Sequence, residues 1–269
     1  MVNVSTPLAP ACLPDDVGAP RFATKKAYRN ELQSWQKSLF HVQQAYFHNK
    51  HKALVVVEGW DAAGKGGAIR RTTELLDPRG FTVFPIGAPS AEEKAHHYLH
   101  RFWTKTPKAG HLTVLDRSYY GRVLVERVDQ LCNLDEWQRA YSEINQFEKN
   151  LSDDGVKIVK LFIHISADEQ KKRFEERLLN PYKQWKLTAE DLHNRSQREA
   201  YLTAINDMFA LTHTDSAPWH VINGEHKWHA RVDFIRHITQ MLSSHISVAP
   251  PPVDESLIEK ARQQLGITL

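Results

Sequence analysis

The chain has 269 residues, 41% of them hydrophobic and 25% charged, with a net charge of +3. That composition fits one α/β domain or at most two small ones, and the weak positive charge excludes the strongly basic footprint of a nucleic-acid binder. Two cysteines, Cys12 and Cys132, give no disulfide framework, no run approaches the ~18 apolar residues of a membrane span, and the proline-interrupted start lacks a secretory n-region, so a cytoplasmic location is expected.

Residues 1–22 are rich in Pro and small residues and read as a flexible arm. The folded domain is expected over 23–245. It opens with a long amphipathic helix from Thr24 to about His51, on which Tyr28, Leu32, Trp35, Leu39, Val42 and Tyr46 recur at three- and four-residue steps. Apolar runs of strand length follow at Ala53–Glu58, Phe81–Ile86, His111–Asp116 and Val156–Ile165, with a weaker one at Trp219–Ile222. Helical patterns separate them, and Leu54–Val57 is continuously rather than alternately apolar. Both features predict a parallel sheet covered on its two faces. Ser90 with Glu93, and Ser166 with Glu169, have the spacing of capping boxes.

Between the fourth and fifth strands lies a strandless insertion too long for an ordinary crossover. It holds helices at Asp168–Leu179 and about Thr188–Leu211 around the turn Asn180-Pro181-Tyr182. A helical lid is expected over residues 166–212. Residues 246–269 form a Pro-rich break, Ala249–Pro252, and a terminal helix at about Asp254–Leu265. The expected fold class is therefore α/β: three layers, a central parallel sheet of about five strands, and a helical lid.

After the first strand comes Gly59-Trp60-Asp61-Ala62-Ala63-Gly64-Lys65-Gly66-Gly67. Glycines and a lysine between a buried strand and a helix are what a phosphate loop requires: backbone N–H groups, a helix dipole and one full positive charge face the anion. The alternative is a strand–turn–helix corner that merely needs glycine. Two departures are informative. Gly66 stands where the usual loop has the Ser or Thr that binds Mg²⁺. Asp61 puts a carboxylate where phosphates must lie, which is favourable if a divalent cation sits between them. Otherwise Asp61 faces solvent or caps a backbone N–H.

The third strand ends in Asp116, the position of a second metal-binding carboxylate, followed by Arg117, Arg122, Glu126 and Arg127. An arginine here would stabilise the transferred phosphoryl group; Arg127 reads equally as a surface ion pair. In the lid, Arg173 and Arg177 share one helical face, and Lys183 and Lys186 flank Trp185. They are cations that a closing lid would bring onto phosphate, or a solvated basic face balanced by Glu175 and Glu176. His96, His97 and His100 lie on what reads as an amphipathic helix and lack matching metal-ligand partners.

These motifs resemble the polyphosphate kinase type 2 family. The resemblance rests on Gly59–Gly67, on Asp116-Arg117-Ser118-Tyr119-Tyr120-Gly121-Arg122 with Val125-Glu126-Arg127, on lid residues from Glu169 to Leu192, and on Ala217-Pro218-Trp219 with Lys227 and Arg231. It implies a P-loop core like that of thymidylate kinases, Mg²⁺ (Mn²⁺ as the substitute), and assembly as a homodimer or homotetramer. The implied reaction moves a terminal phosphoryl group between inorganic polyphosphate and adenine nucleotides, with guanine nucleotides as a second class. By position, Asp61 and Asp116 match the metal-associated carboxylates, Lys65 and Arg117 the phosphate-binding cations, and Arg173 and Arg177 the lid arginines. The expected phosphate cradle is Gly59, Ala62, Ala63, Gly64, Lys65, Gly66, Gly67 and Arg122. Tyr120, Glu126, Lys183 and Lys186 are substrate-binding candidates. Gly121 resembles the branch acting on nucleoside monophosphates, which makes AMP the expected acceptor and ADP the second. The rival readings are an ATP-dependent kinase and a non-catalytic polyphosphate or nucleotide binder; a GTPase is disfavoured because the guanine motif is absent.

Overall fold

Five parallel strands order the molecule as β2-β3-β1-β4-β5. The computed structural model describes residues 22–244 and 246–266, so Cys12 and nearly all of the expected arm lie outside the described residues. In chain order the elements are α1 (Lys25–Asn49), β1 (Lys52–Gly59), α2 (Lys65–Thr73), β2 (Phe81–Pro85), α3 (Ala91–Lys94), α4 (His100–Trp103), β3 (His111–Asp116), α5 (Val125–Val128), α6 (Leu134–Asp153), β4 (Val156–His164), α7 (Ala167–Leu178), α8 (Ala189–Ser196), α9 (Arg198–Thr212), β5 (Trp219–Asn223), α10 (Lys227–Ser243) and α11 (Glu255–Leu265). All strands agree with the sequence reading to within about two residues at either end.

β1 is central, paired with β3 on one side and β4 on the other, and Leu54–Val57 are all buried. Helices α1, α2 and α10 pack on one another and on the sheet. Helices α5, α6 and α9 form a second group, with α6 against β4. The parallel register puts every strand's C-terminal end along one edge, where ligands of open α/β folds bind. The buried stripe of α1 also includes two amides that periodicity alone assigns to the polar face. Gln36 donates to the Arg71 carbonyl at 2.6 Å, and Gln43 exchanges two 2.8 Å hydrogen bonds with the Asp77 backbone. These amides satisfy backbone groups in the last turn of α2 and in the loop after it. Phe22, placed in the arm by composition, packs edge-on to Tyr28 and belongs to the core.

Three local expectations are corrected. Residues 188–211 are two helices, broken at Gln197 (φ −97°, ψ 19°), because α8 faces the phosphate loop whereas α9 buries Ala204, Ile205, Met208 and Phe209 in the core. The His-rich stretch after Ser90 is two single turns, α3 and α4, since Tyr98 and Leu99 between them turn inward. Ser166 caps Glu169 N–H, but the reciprocal half of that box is missing: Glu169 turns to Arg173, and Glu225 takes the Ser166 N–H. No helix among the described residues is long and apolar enough to cross a membrane.

His220 on β5 lies against His237 on α10, with ring centroids 5.2 Å apart. Burial, then His237, His213 and Lys157, push its pKa from the ordinary 6.5 down to about 4. A base depressed in the folded state stabilises the fold fully above its unfolded value, and the contribution is lost as pH falls towards the folded one. Thermal unfolding scans should therefore show the melting temperature falling between pH 6.5 and 4, with a shallower fall in His220→Phe.

Candidate active site

β1 delivers the phosphate loop to the C-terminal edge of the sheet. Its last residue, Gly59, has φ 144°, and a Cβ there would stand 2.4 Å from the Ile163 carbonyl oxygen of β4, so only glycine fits. Gly64 (φ 108°) then starts α2 with no side-chain cap, which leaves the first N–H groups of the helix for an anion. Lys65 folds back over the loop, donating to the Gly59 carbonyl at 2.5 Å and the Trp60 carbonyl at 3.2 Å. A Cβ on Gly66 would meet nothing within 4 Å, and one on Gly67 would lie 3.7 Å from the Arg231 guanidinium.

Asp61 projects from the loop with both oxygens engaged. Oδ1 accepts from Arg117 at 3.2 Å and Oδ2 from Asn194 at 2.9 Å. Burial pushes this carboxyl up, but Lys65, the Asn194 amide and Arg117 outweigh it, and the pKa ends below the ordinary value. Asp61 is thus a carboxylate at neutral pH. Asp116 ends β3 in register with Val57. It is half-buried, and among the described residues its side chain makes no hydrogen bond or ion pair. Arg117 follows in the left-handed region (φ 64°), its N–H donating to the Val57 carbonyl at 3.0 Å. Holding a non-glycine residue there costs on the order of 1 kcal/mol and is typical of functional sites.

Glu58 lies beneath these groups and escaped sequence reading. It is buried, accepts from Ser118 Oγ at 2.7 Å, and its pKa is raised chiefly by burial. The bond ties the end of β1 to the turn after β3, so the phosphate loop and the Asp116–Arg117 pair share one anchor. The only sequence signal was a charge closing an apolar run.

Asp61, Lys65, Arg117 and Asn194 line a cleft of about 680 Å³. Its far wall carries Tyr98, Arg122, Glu126 and Gly121. Arg122 lies over the Tyr98 ring at 4.5 Å and pairs with Glu126 at 3.2 Å; burial raises the Glu126 pKa although Arg122 opposes it. Asp116 precedes Arg117 in the chain and is not itself among the residues lining the cleft.

Several candidates are placed elsewhere. Tyr120 is 0% exposed, with its hydroxyl on Glu148 at 2.8 Å, and is a packing residue rather than a substrate contact. Arg173 is 3% exposed. Its guanidinium grips the carbonyls of Ala62, Ala63 and Gly224 at 2.6–3.0 Å, so it braces the loop from behind instead of facing phosphate. The carbonyls of Ala62 and Ala63 point into that clamp. Arg177 holds the lid together through the Lys186 carbonyl (2.9 Å) and Asp191 (3.6 Å). Lys183 and Lys186 are exposed outside the cleft, Lys186 against the Trp185 ring. Arg127 is structural, bonded to Tyr141 and Asp207 at 2.7 Å and stacked on Trp137.

No cluster of three His, Cys, Asp or Glu among the described residues is arranged to hold a metal, the His96–His100 stretch included. The oxygen donors of Asp61 and Asp116 fit a different pattern, in which Mg²⁺ takes one or two carboxylates and completes its shell with phosphate oxygens and water. The unpartnered Asp116 carboxylate is the observation that supports this fit.

A profile of the Polyphosphate kinase 2 (PPK2) family matches residues 23–248. The chain is 42% identical over 230 residues to a polyphosphate:AMP phosphotransferase of Pseudomonas aeruginosa, covering 86% of this chain but 46% of that protein. It thus spans about half the length of that relative. It is 39% identical to an AMP/ADP-polyphosphate phosphotransferase of Meiothermus ruber, covering 80% of this chain and 81% of that one. The crystal structure of polyphosphate kinase 2 from Arthrobacter aurescens TC1 superposes with a TM-score of 0.87 at 30% identity, covering 97% of this chain and 94% of that one. Sheet order, phosphate loop, cleft and these likenesses lead to one conclusion: the chain belongs to the polyphosphate kinase 2 family.

Proposed function

We propose that the chain transfers a phosphoryl group reversibly between inorganic polyphosphate and a nucleotide, with AMP as the preferred acceptor and ADP as the second. The observation that carries this reading is Asp61. A carboxylate inside a phosphate loop, ionised and sharing a cleft with Lys65 and Arg117, suits a polyanionic substrate that arrives with its cation. Asp61 and Asp116 would hold Mg²⁺, or Mn²⁺ in its place, whose charge would offset that of the reacting phosphates. The N–H groups at the start of α2 and the Lys65 ammonium bind the donor phosphates. Arg117 reaches over the cleft mouth, where charge spreads over the transferred group. The acceptor is already an anionic phosphate, so no strong general base is needed; alignment and electrostatics supply the rate. Gly121 favours AMP as acceptor. A Cβ there would make only ordinary contact with Val125, at 3.8 Å, so packing does not demand glycine and its bareness serves the cleft. Homo-oligomeric assembly and a cytoplasmic location belong to the same reading, the first tested by light scattering of the purified chain.

The deciding assay holds the chain with Mg²⁺, polyphosphate and either AMP or ADP, and no ATP. ADP formed from AMP, faster than ATP is formed from ADP, is the expected result. No higher nucleotide from either acceptor overturns the reading. Product appearing only when ATP is supplied marks an ATP-dependent kinase, and tight binding without turnover marks a binding protein.

A further inference from the structure

Two lid helices converge on one residue of the phosphate loop. From α7, Gln170, 1% exposed, donates Nε2–H to the Asp61 carbonyl at 3.1 Å, while its Oε1 accepts from Arg195 at 3.1 Å and Arg198 at 3.3 Å. From α8, Asn194 donates Nδ2–H to Asp61 Oδ2 at 2.9 Å. The Asn194 amide is itself oriented, because the Tyr201 hydroxyl of α9 donates to its Oδ1 at 3.3 Å. A carboxamide can present either end to a neighbour. A donor on its oxygen and a carboxylate before its nitrogen leave one orientation that satisfies both.

The two partners of the Asp61 carboxylate differ in kind. Arg117, whose side chain is 47% exposed, brings a positive charge that partly cancels the carboxylate. Asn194 is neutral: it fixes the direction of the carboxylate without reducing its charge. Aiming an acid while preserving its attraction for a cation is what the outer partners of ligating carboxylates do. Asn194 also sits on the lid, so the bond exists only when α8 lies against the loop.

We propose that Asn194 is a positioning residue that aims the Asp61 carboxylate for a divalent cation and couples cation binding to closure of the lid. This rests on the reading of Asp61 as a cation ligand. Coupling of this kind is reciprocal: if the closed lid strengthens cation binding, the cation strengthens closure by the same factor.

The test uses the full chain, no nucleotide, and Mn²⁺ as the probe, with free Mn²⁺ measured by paramagnetic resonance. Asn194→Ala is expected to weaken Mn²⁺ binding by about tenfold or more, the usual consequence of losing an outer-shell partner. Tyr201→Phe keeps the ring against Trp60 and loses only the hydroxyl that orients the amide; a weakening of about threefold is expected, the scale of one neutral hydrogen bond. In the wild type, Mn²⁺ should slow tryptic cleavage at the exposed Lys183 and Lys186 of the lid, and Asn194→Ala should abolish that protection. A purely structural role would lower the melting temperature and leave Mn²⁺ affinity unchanged. Equal affinity in wild type and in both folded variants therefore overturns the proposal. If Asn194→Ala fails to fold, Tyr201→Phe carries the same test at smaller amplitude. A wild-type chain that holds no Mn²⁺, indistinguishable from Asp61→Asn, overturns instead the cation reading on which the proposal rests.

Discussion

Asp116→Asn is expected to lower the proposed phosphoryl transfer by about a thousandfold and to leave the fold intact. The size follows from what a bound cation contributes to phosphoryl transfer, several kcal/mol of charge stabilisation at tenfold in rate per 1.36 kcal/mol. The intact fold follows from the surroundings. The Asp116 carboxylate has no hydrogen-bond or ion-pair partner among the described residues. Its structural duty is carried by the backbone, where the carbonyl accepts from Ile86 N–H at 2.9 Å and the strand pairs with Val57 and Pro85. Asparagine keeps all of these contacts and the side-chain volume. The charge of Asp116 also reaches Glu58, whose raised pKa it helps to maintain; neutralising residue 116 relieves that repulsion. Single-turnover transfer from polyphosphate to AMP, measured beside a thermal melt, separates the two effects. A variant with near-normal turnover would remove Asp116 from the reaction. A variant that melts many degrees lower would give its carboxylate a structural role that its surroundings do not show.

The sheet was readable from sequence because a strand buried on both faces needs a near-continuous apolar run; Leu54–Val57 supplies an unbroken one, and Ile158–Ile163 a second that Lys160 alone interrupts. The loop was readable because Gly59 and Gly64 occupy backbone conformations that side-chain-bearing residues resist. What stayed hidden was the direction in which polar side chains point. Arg173 and Arg177 share a helical face, as their spacing implies, but sequence does not show that the backs of Ala62 and Ala63 wait beside that face with unpaired carbonyls. A buried guanidinium must satisfy its donors, and Arg173 does so on those carbonyls together with the Gly224 carbonyl and the Glu169 carboxylate. Asn194 was missed, and Gln170, which lies in the lid stretch that carries the resemblance, was given no role, for a related reason. Their contacts with Asp61 span 133 and 109 residues, and no local pattern shows that either amide turns to the phosphate loop. Tyr120, close to Arg117, reads as a substrate-binding candidate, and its neighbour Tyr119 carries no functional signal. Their true partners lie on α6 and β4, at positions that periodicity gives no reason to connect.

Those partners carry the largest expected effect on stability. Glu148 of α6 and Lys160 of β4 are 1% and 0% exposed and meet at 2.8 Å. Glu148 Oε1 accepts from both Tyr119 and Tyr120 at 2.8 Å, and Lys160 also donates to the Tyr120 hydroxyl (2.9 Å) and the Thr212 carbonyl (2.6 Å). Burial holds the Lys160 pKa below its ordinary value while Glu148 pulls it back up. Removing one member of such a pair strands a buried charge, at a cost of about 3–5 kcal/mol. Lys160→Met and Glu148→Gln should each lower the melting temperature by roughly 10 °C for a chain of this size. The cost should not double when both are changed. With Lys160 gone, the neutral glutamine can still accept from the tyrosines, so the double variant is expected to be more stable than the sum of the single losses predicts. Additive losses in a double-mutant cycle would show that the two charges do not interact. The knot also holds the turn from Tyr119 to Arg122, and with it the strained backbone of Arg117. Folded single variants should therefore transfer phosphate more slowly at temperatures well below their melting point, whereas a knot that serves stability alone would leave that rate unchanged.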